Sequence, residues 1–226
     1  MSILSYATPN LPFNLPKLQA EVTALSHPWS PHFNIKHYEG GWNVLSLRAP
    51  GGKADQIIPE PMHGDDFLDT PLMGSCPSVK ELLSSMQCPI LSVRLLNLQS
   101  GAIIKPHRDH ELAFENGEAR LHFSVFTNDA VEFYIEEELL RMREGECWYI
   151  NANLTHSVIN KGATDRIHLV IDCQVNDWLK ELFESAEKKY VPEASQKEQL
   201  LKVISELKMQ GTEEGLKLAE QLEAGM

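Results

Sequence analysis

Between Pro89 and Val175 the chain is a succession of short runs rich in branched and aromatic residues. They read "ILSVRLLNLQSG", "AIIKPH", "ARLHFSVFTN", "VEFYIE", "ECWYINA", "THSVINKG" and "RIHLVIDCQV", and turn residues such as "ND", "REGE", "NAN" and "NKG" close them. No helical periodicity interrupts the series. Short strands at this spacing mean an antiparallel sandwich or barrel, because alternating α/β units would need helices between the strands. A jelly roll is the natural candidate.

The flanks read differently. Leu15, Leu18, Val22 and Leu25 recur at helical spacing. "WNVLSLRAP", 42–50, reads as a strand closed by the turn "PGG", and the Pro-, Gly- and Asp-rich stretch after it reads as loop ending in a short helix over 78–86. Beyond Val175 the period becomes helical. Asn176 or Asp177 can cap a helix through Trp178, Leu179, Leu182 and Phe183. A second helix offers Leu200, Leu201, Ile204 and Leu207 before the C-cap Gly211, and a third follows Thr212. The expected layout is a mainly β domain over 1–175 with an N-terminal helical and loop part, then a helical extension over 176–226.

Composition removes several classes of function. The 226 residues suffice for one domain with a full core. A formal net charge of -12 without a basic cluster argues against nucleic acid or an anionic membrane as partner. Cys76, Cys88, Cys147 and Cys173 form no C-x-x-C pair and no disulfide framework, so a reduced, cytoplasmic protein is expected. The opening "MSILSYATPNLPFNLPKL" has no basic start and is broken by Asn and Pro, unlike a signal peptide. No apolar run of about twenty residues could span a membrane.

The chemistry gathers around "KPHRDHE". With nine histidines in the chain, a bare His-x-Asp carries little weight. His27, His32, His37, His63 and His110 have no spacing argument and read as ordinary. Lys105 precedes a proline and is biased to extended geometry, so His107 and Asp109 are expected to share one face of a strand. His156, opening the strand "HSVIN", is the best third ligand. Two imidazoles and one carboxylate make the facial triad of non-haem Fe(II) oxygenases, which leaves three coordination positions free. A hairpin of "HSVIN", "KGATD" and "RIHLVID" would then carry Arg166 into the same cavity, where a guanidinium suits the far carboxylate of a dicarboxylic acid. Two strands also carry polar groups along one face: Arg120, His122 and Ser124 on one, Arg166, His168 and Asp172 on the other. Burying such groups is costly unless they are paired or bound to ligand, so a polar pocket is implied. Arg94 shares a face with Ser92 and Leu96 and reaches either that pocket or solvent.

Together "RLLNLQSGAIIKPHRD", "RLHFSVFTN" and "WYINANLTHSVINKGATDRIHLVID" resemble the aspartyl/asparaginyl β-hydroxylase family, which includes the related bacterial proline hydroxylases, over residues 94–172. The resemblance implies a double-stranded β-helix, a cupin-like jelly roll, with Fe(II) on His107, Asp109 and His156 and with 2-oxoglutarate and O2 as co-substrates. It implies that Arg166 pairs with the distal carboxylate of 2-oxoglutarate and that His122 touches its metal-bound end. Arg120 would meet the substrate's carboxylate, with Arg94 a further candidate for substrate contact. Vertebrate members lack the carboxylate ligand; Asp109 is present here. The expected reaction is hydroxylation of an unactivated carbon of a small amino acid, or of an Asp/Asn-type residue in a short peptide, with release of succinate and CO2. The alternatives are a non-oxygenase cupin metalloprotein, an isomerase or hydrolase with no need of Arg166, or a non-catalytic binding module of the same fold. The resemblance says little about 176–226, which is left two roles, a cover over the pocket or a homodimer contact.

Overall fold

Each of the runs between Pro89 and Val175 becomes a strand in the computed structural model, which describes residues 2–59, 66–109, 112–192 and 196–224, without the side chains of 196–200 and 202. His63, His110 and the side chain of Leu200 lie outside the described residues. In chain order the elements are β1 (Ser2–Thr8), α1 (Leu15–Ala24), β2 (Ser30–Pro31), β3 (Tyr38–Glu39), β4 (Trp42–Pro50), β5 (Phe67–Asp69), α2 (Pro77–Ser85), β6 (Ile90–Leu98) and β7 (Ile103–His107). They continue with β8 (Glu118–Phe126), β9 (Val131–Ile135), β10 (Glu138–Leu140), β11 (Cys147–Ile150), β12 (His156–Asn160), β13 (Arg166–Gln174), α3 (Asp177–Glu184), β14 (Glu187–Pro192), α4 (Gln196–Gln210) and α5 (Glu213–Ala224).

The strands form two antiparallel sheets, the jelly-roll arrangement expected. The larger runs β14-β1-β11-β8-β13-β6-β4-β2, with β5 paired to β4; the smaller runs β10-β9-β12-β7-β3. β8 and β13 sit at the middle of the larger sheet and are buried on both faces. Their alternation is therefore one of chemistry, not of exposure. Leu121, Phe123 and Val125 of β8 and Leu169 and Ile171 of β13 pack in one apolar core with Leu18 and Val22 of α1, Val79 and Leu82 of α2, and Leu179 and Phe183 of α3. The opposite face looks across at the smaller sheet. There Leu96, Leu98, Ile150 and Val170 meet Ile104, Phe133, Ile135 and Val158 in a second core. The arginines and histidines share this inner face, among these apolar groups.

The helix ends follow the sequence. The Asn14 side chain accepts from the Lys17 amide at 3.1 Å, with Pro16 in the first turn of α1. Asn176 caps α3 through the Leu179 amide at 3.1 Å, and Asp177 instead pairs with Lys180 at 2.9 Å. Six elements arise where no strand was expected: β1, β2, β3, β5, β10 and β14. β1 is held by register with β11, Tyr6 opposite Ile150, a main-chain pairing that leaves a weak mark in its own sequence. The packing divides the chain into Leu4–Lys189 and a second unit of Met1–Ile3 with Tyr190–Met226. Within the second unit α4 and α5 are joined by a Lys208–Glu223 ion pair of 2.5 Å, and the Gly215 amide donates to Thr212 Oγ1 at 3.1 Å, the capping contact expected of Thr212.

Candidate metal centre

His107 ends β7 and His156 begins β12, and the two are direct cross-strand partners. Their ring centroids are 4.3 Å apart. This pairing brings together residues far apart in sequence. Asp109 arrives differently. β7 stops at His107, so no strand pleat aims the carboxylate. Its amide donates instead to Ala152 O at 2.9 Å, tying this loop to the one after β11. The outcome is a cluster in which one ligand atom from each of His107, Asp109 and His156 lies within 4.8 Å of the others. His107 Nε2 is 3.7 Å from Asp109 Oδ1.

Both imidazoles present the form a metal requires. His107 Nδ1 is 2.8 Å from Lys105 O, and His156 Nδ1 is 3.0 Å from Leu154 O. A carbonyl only accepts, so each Nδ1 carries a hydrogen, and in the neutral ring each Nε2 keeps its lone pair. Burial pulls the His156 pKa down to about 4, which keeps that ring neutral. Burial alone would raise Asp109, but Arg120 beside it, helped by His156 and His107, holds its pKa down to about 2. Two imidazoles and an ionised carboxylate fit a divalent transition metal, Fe(II) among them.

Beneath this cluster lies a charged network. Asp172 on β13 is the register partner of Arg120 on β8. Its Oδ1 accepts from Arg120 Nε at 2.7 Å. Its Oδ2 accepts from Arg120 Nη2 at 3.2 Å, Arg94 Nη2 at 2.9 Å and Ser92 Oγ at 2.7 Å. Arg120 Nη1 then donates to Asp109 Oδ2. Burial would raise the Asp172 carboxyl, but Arg120 and Arg94 hold it far below the usual carboxylate range. Of the two destinations open to Arg94, the structure chooses the cavity: Arg94 is buried and lines it. Arg120 has protein carboxylates on both sides, a different set of partners from the substrate carboxylate expected of it.

Arg166 approaches from the opposite side. β12 and β13 do not form the expected hairpin; they lie in different sheets. The connection crosses between the sheets, and buried Asn160 organises the crossing by donating from Nδ2 to Leu98 O and Thr164 O at 3.1 and 2.9 Å. Arg166 thus projects from the larger sheet towards the smaller one that carries His156. It is 2% exposed. Its Nη2 donates to His168 Nδ1 at 2.8 Å, so His168 Nε2 carries hydrogen and faces Ser124 Oγ at 3.2 Å. Its guanidinium carbon lies 5.9 Å from the centre of the Phe133 ring. Among the described residues no carboxylate pairs with Arg166 and its Nε has no partner. Burial drags its pKa down to about 9. His122 Nδ1 is likewise buried without a partner among the described residues. Burial, with Arg166 and Arg120 nearby, keeps that ring neutral.

One cavity of about 290 Å³ joins the cluster, Arg94, Arg120, His122 and Arg166. Apolar Trp42, Ile104, Phe133 and Val158 complete much of its wall. His32, which carried no spacing argument, also lines it, stacked on Trp42 at 3.6 Å between centroids. Nothing in the local pattern marks His32 and Trp42 as neighbours of the cluster. They reach it only because β2 pairs with β4 at the sheet edge.

A model of the aspartyl/asparaginyl beta-hydroxylase family matches residues 13–175. The chain is similar to the L-proline cis-4-hydroxylase of Rhizobium meliloti (strain 1021), 32% identical over 135 residues, which are 59% of this chain and 48% of that protein. It is also similar to L-proline cis-3-hydroxylase 2 of a Streptomyces species, 26% identical over 137 residues, 59% of this chain and 47% of that one. The chain thus spans about half the length of these curated relatives. Among solved structures, an oxidoreductase of the 2OG-Fe(II) oxygenase family from Burkholderia pseudomallei aligns with a TM-score of 0.46 at 13% identity, covering 71% of this chain and 77% of that one.

Proposed function

The chain belongs to the aspartyl/asparaginyl β-hydroxylase family, and from that premise we propose that it is an Fe(II)/2-oxoglutarate-dependent dioxygenase acting on a free amino acid, with L-proline and its close analogues the first candidates. The observation that carries this reading is a juxtaposition in one cavity. A cluster of His107, Asp109 and His156 with both Nε2 lone pairs available faces Arg166, a buried cation without a carboxylate of its own among the described residues. A dicarboxylic acid held at both ends satisfies both needs. The cavity, near the lower end of the roughly 300–1,000 Å³ usual for small-ligand sites, has to take co-substrate and substrate together. That favours a free amino acid over a peptide.

With Fe(II) on the cluster, oxidative decarboxylation of 2-oxoglutarate would supply the oxidising power: one oxygen atom of O2 enters succinate, CO2 leaves, and the other oxygen is inserted into a substrate C–H bond. The protein's own part is orientation and exclusion of water. His168 holds one arm of the Arg166 guanidinium, and the rest of the fork grips the distal carboxylate. Neutral His122 offers its unpartnered Nδ1 towards the other end of the co-substrate. Trp42, Ile104, Phe133 and Val158 keep the reacting carbon dry. Among the described residues no helix is long and apolar enough to cross a membrane. The same proposal keeps the chemistry within 1–175, sets the protein in the cytoplasm and treats 176–226 as an extension.

The test is a substrate screen. Purified protein is supplied with Fe(II), 2-oxoglutarate and air, then with L-proline, other free amino acids or short Asp- and Asn-containing peptides, and succinate is measured. Succinate release stimulated by proline or a relative of it is expected, together with a weak visible charge-transfer band when Fe(II) and 2-oxoglutarate are added anaerobically. A protein that binds metal but gives neither signal is a cupin of another kind, and the proposal fails.

A further inference from the structure

We propose that Asp172 and Arg120 form a positioning relay for the metal: Asp172 fixes Arg120, and Arg120 fixes Asp109 so that one oxygen alone is offered to the ion. The inference rests on the proposed function only for the identity of ion and co-substrate. Its basis is a guanidinium held between two carboxylates. Arg120 uses Nε and Nη2 on Asp172 and Nη1 on Asp109 Oδ2. Asp109 Oδ2 is thereby committed, and Oδ1 is the atom turned towards His107 Nε2.

Asp109 needs such a device more than its fellow ligands do. His107 and His156 stand on paired strands, each with Nδ1 pinned to a main-chain carbonyl. Asp109 stands past the end of β7, and its side chain is 31% exposed. Packing alone leaves it rotamer freedom that would have to be lost on binding metal. Asp172 is the reverse case. It lies on a central strand whose other face is locked in the apolar core, and Ser92 and Arg94 hold its Oδ2 as well. The relay carries the rigidity of the larger sheet across to the one ligand the smaller sheet does not hold. It also balances charge, since Asp172 and Asp109 stand against Arg120 and Arg94. Arg166 is left as the cavity arginine with no carboxylate among the described residues, so the far end of a dianion is directed to Arg166 and not to Arg120.

The test uses apoprotein titrated with Co(II), read by calorimetry and by the visible Co(II) absorbance, then with 2-oxoglutarate at saturating Co(II). Asp172→Asn should weaken Co(II) binding ~10–100-fold, the usual effect of losing a group that orients a ligand. Arg120→Lys should do the same, because an ammonium cannot grip two carboxylates as a fork. In both, 2-oxoglutarate affinity should change little. If Asp172→Asn proves too unstable to assay, Ser92→Ala, which removes one hydrogen bond from Asp172, should show a smaller weakening in the same direction. Variants that melt lower yet bind Co(II) as the parent does would make the network merely structural and overturn the relay. A steep rise in KM for the amino acid with Co(II) affinity unchanged would overturn it too, by giving Arg120 to the substrate. If the parent binds Co(II) but not 2-oxoglutarate, while Asp172→Asn still weakens Co(II), the relay stands and the dioxygenase reading falls.

Discussion

Replacing Arg166 by Met should make the empty protein more stable while destroying its hold on 2-oxoglutarate. Burial lowers the Arg166 pKa far below the ordinary arginine value, to about 9, without a carboxylate to compensate among the described residues. At about 1.4 kcal/mol for each pKa step, keeping this cation costs on the order of 4–5 kcal/mol. The folded-state value lies below the unfolded one, so the cost is full at every pH below about 9 and eases only as pH climbs beyond it towards the ordinary arginine value. Methionine removes that cost. It also strips His168 Nδ1 of its donor, a loss of about 1–3 kcal/mol, and removes the contact over Phe133, about 1 kcal/mol. The balance is a gain of about 1–2 kcal/mol, or ~3–6 °C in Tm for a chain of this size. Binding moves the other way. A buried charge-assisted fork on a carboxylate is worth about 2–5 kcal/mol, so 2-oxoglutarate should weaken by a factor of ~30 or more. The assay is a thermal melt at neutral pH with Mn(II), with and without 2-oxoglutarate, beside a titration of each protein. The parent should gain Tm with the ligand, and the variant should start higher and gain nothing. A variant that melts below the parent, or that still binds 2-oxoglutarate as the parent does, refutes the reasoning.

Further consequences are open to simple measurement. His107→Ala, Asp109→Ala and His156→Ala should each lose most bound Fe(II), measured as iron retained after gel filtration, since a three-ligand site has no spare ligand; full retention in all three would remove the metal assignment. Asp172→Asn should cost about 3 kcal/mol in a urea melt at neutral pH, by breaking a buried ion network. The folded-state pKa of Asp172 is depressed, so that advantage of the parent is present above the ordinary carboxylate value of about 3.9 and shrinks as pH falls below it; a gap that widens in acid would contradict this. Phe123→Ala should cost about 3–5 kcal/mol, because its ring is fully buried and meets Phe13 edge-on at 5.4 Å, yet Co(II) affinity should be untouched, since Phe123 faces away from the cavity.

What the sequence disclosed and what it hid follow one physical division. Strand alternation is a local property, and the polar face of Arg120, His122 and Ser124 against the apolar face of Leu121, Phe123 and Val125 could be read before any fold was known. His107, Asp109 and His156 were legible for a related reason: the third ligand had to open a strand after a turn, and His156 does. Register and sheet membership are not local. The segment 161–165 reads as a tight turn whether it closes a hairpin or crosses between sheets, and the decision lies with the buried amide of Asn160. Asp172 was visible on the polar face of its strand, but that it stands opposite Arg120 is set by the pairing of β13 with β8.

That pairing has a chemical consequence of its own. β13 delivers Arg166, His168 and Asp172 to one face at alternate positions, and it uses its two ends differently. At Asp172 the strand meets Arg120 and Arg94, which consume their charge within the protein. At Arg166 it meets neutral His168 and the ring of Phe133, with no carboxylate among the described residues. A surplus of positive charge is therefore concentrated at one end of the cavity, and the carboxylate of the metal cluster is neutralised at the other. On the proposed function, an anion entering such a site would be oriented before any metal contact is made. The choice of Asp172 as the partner of Arg120, invisible in either strand alone, is what would leave Arg166 to orient the proposed co-substrate.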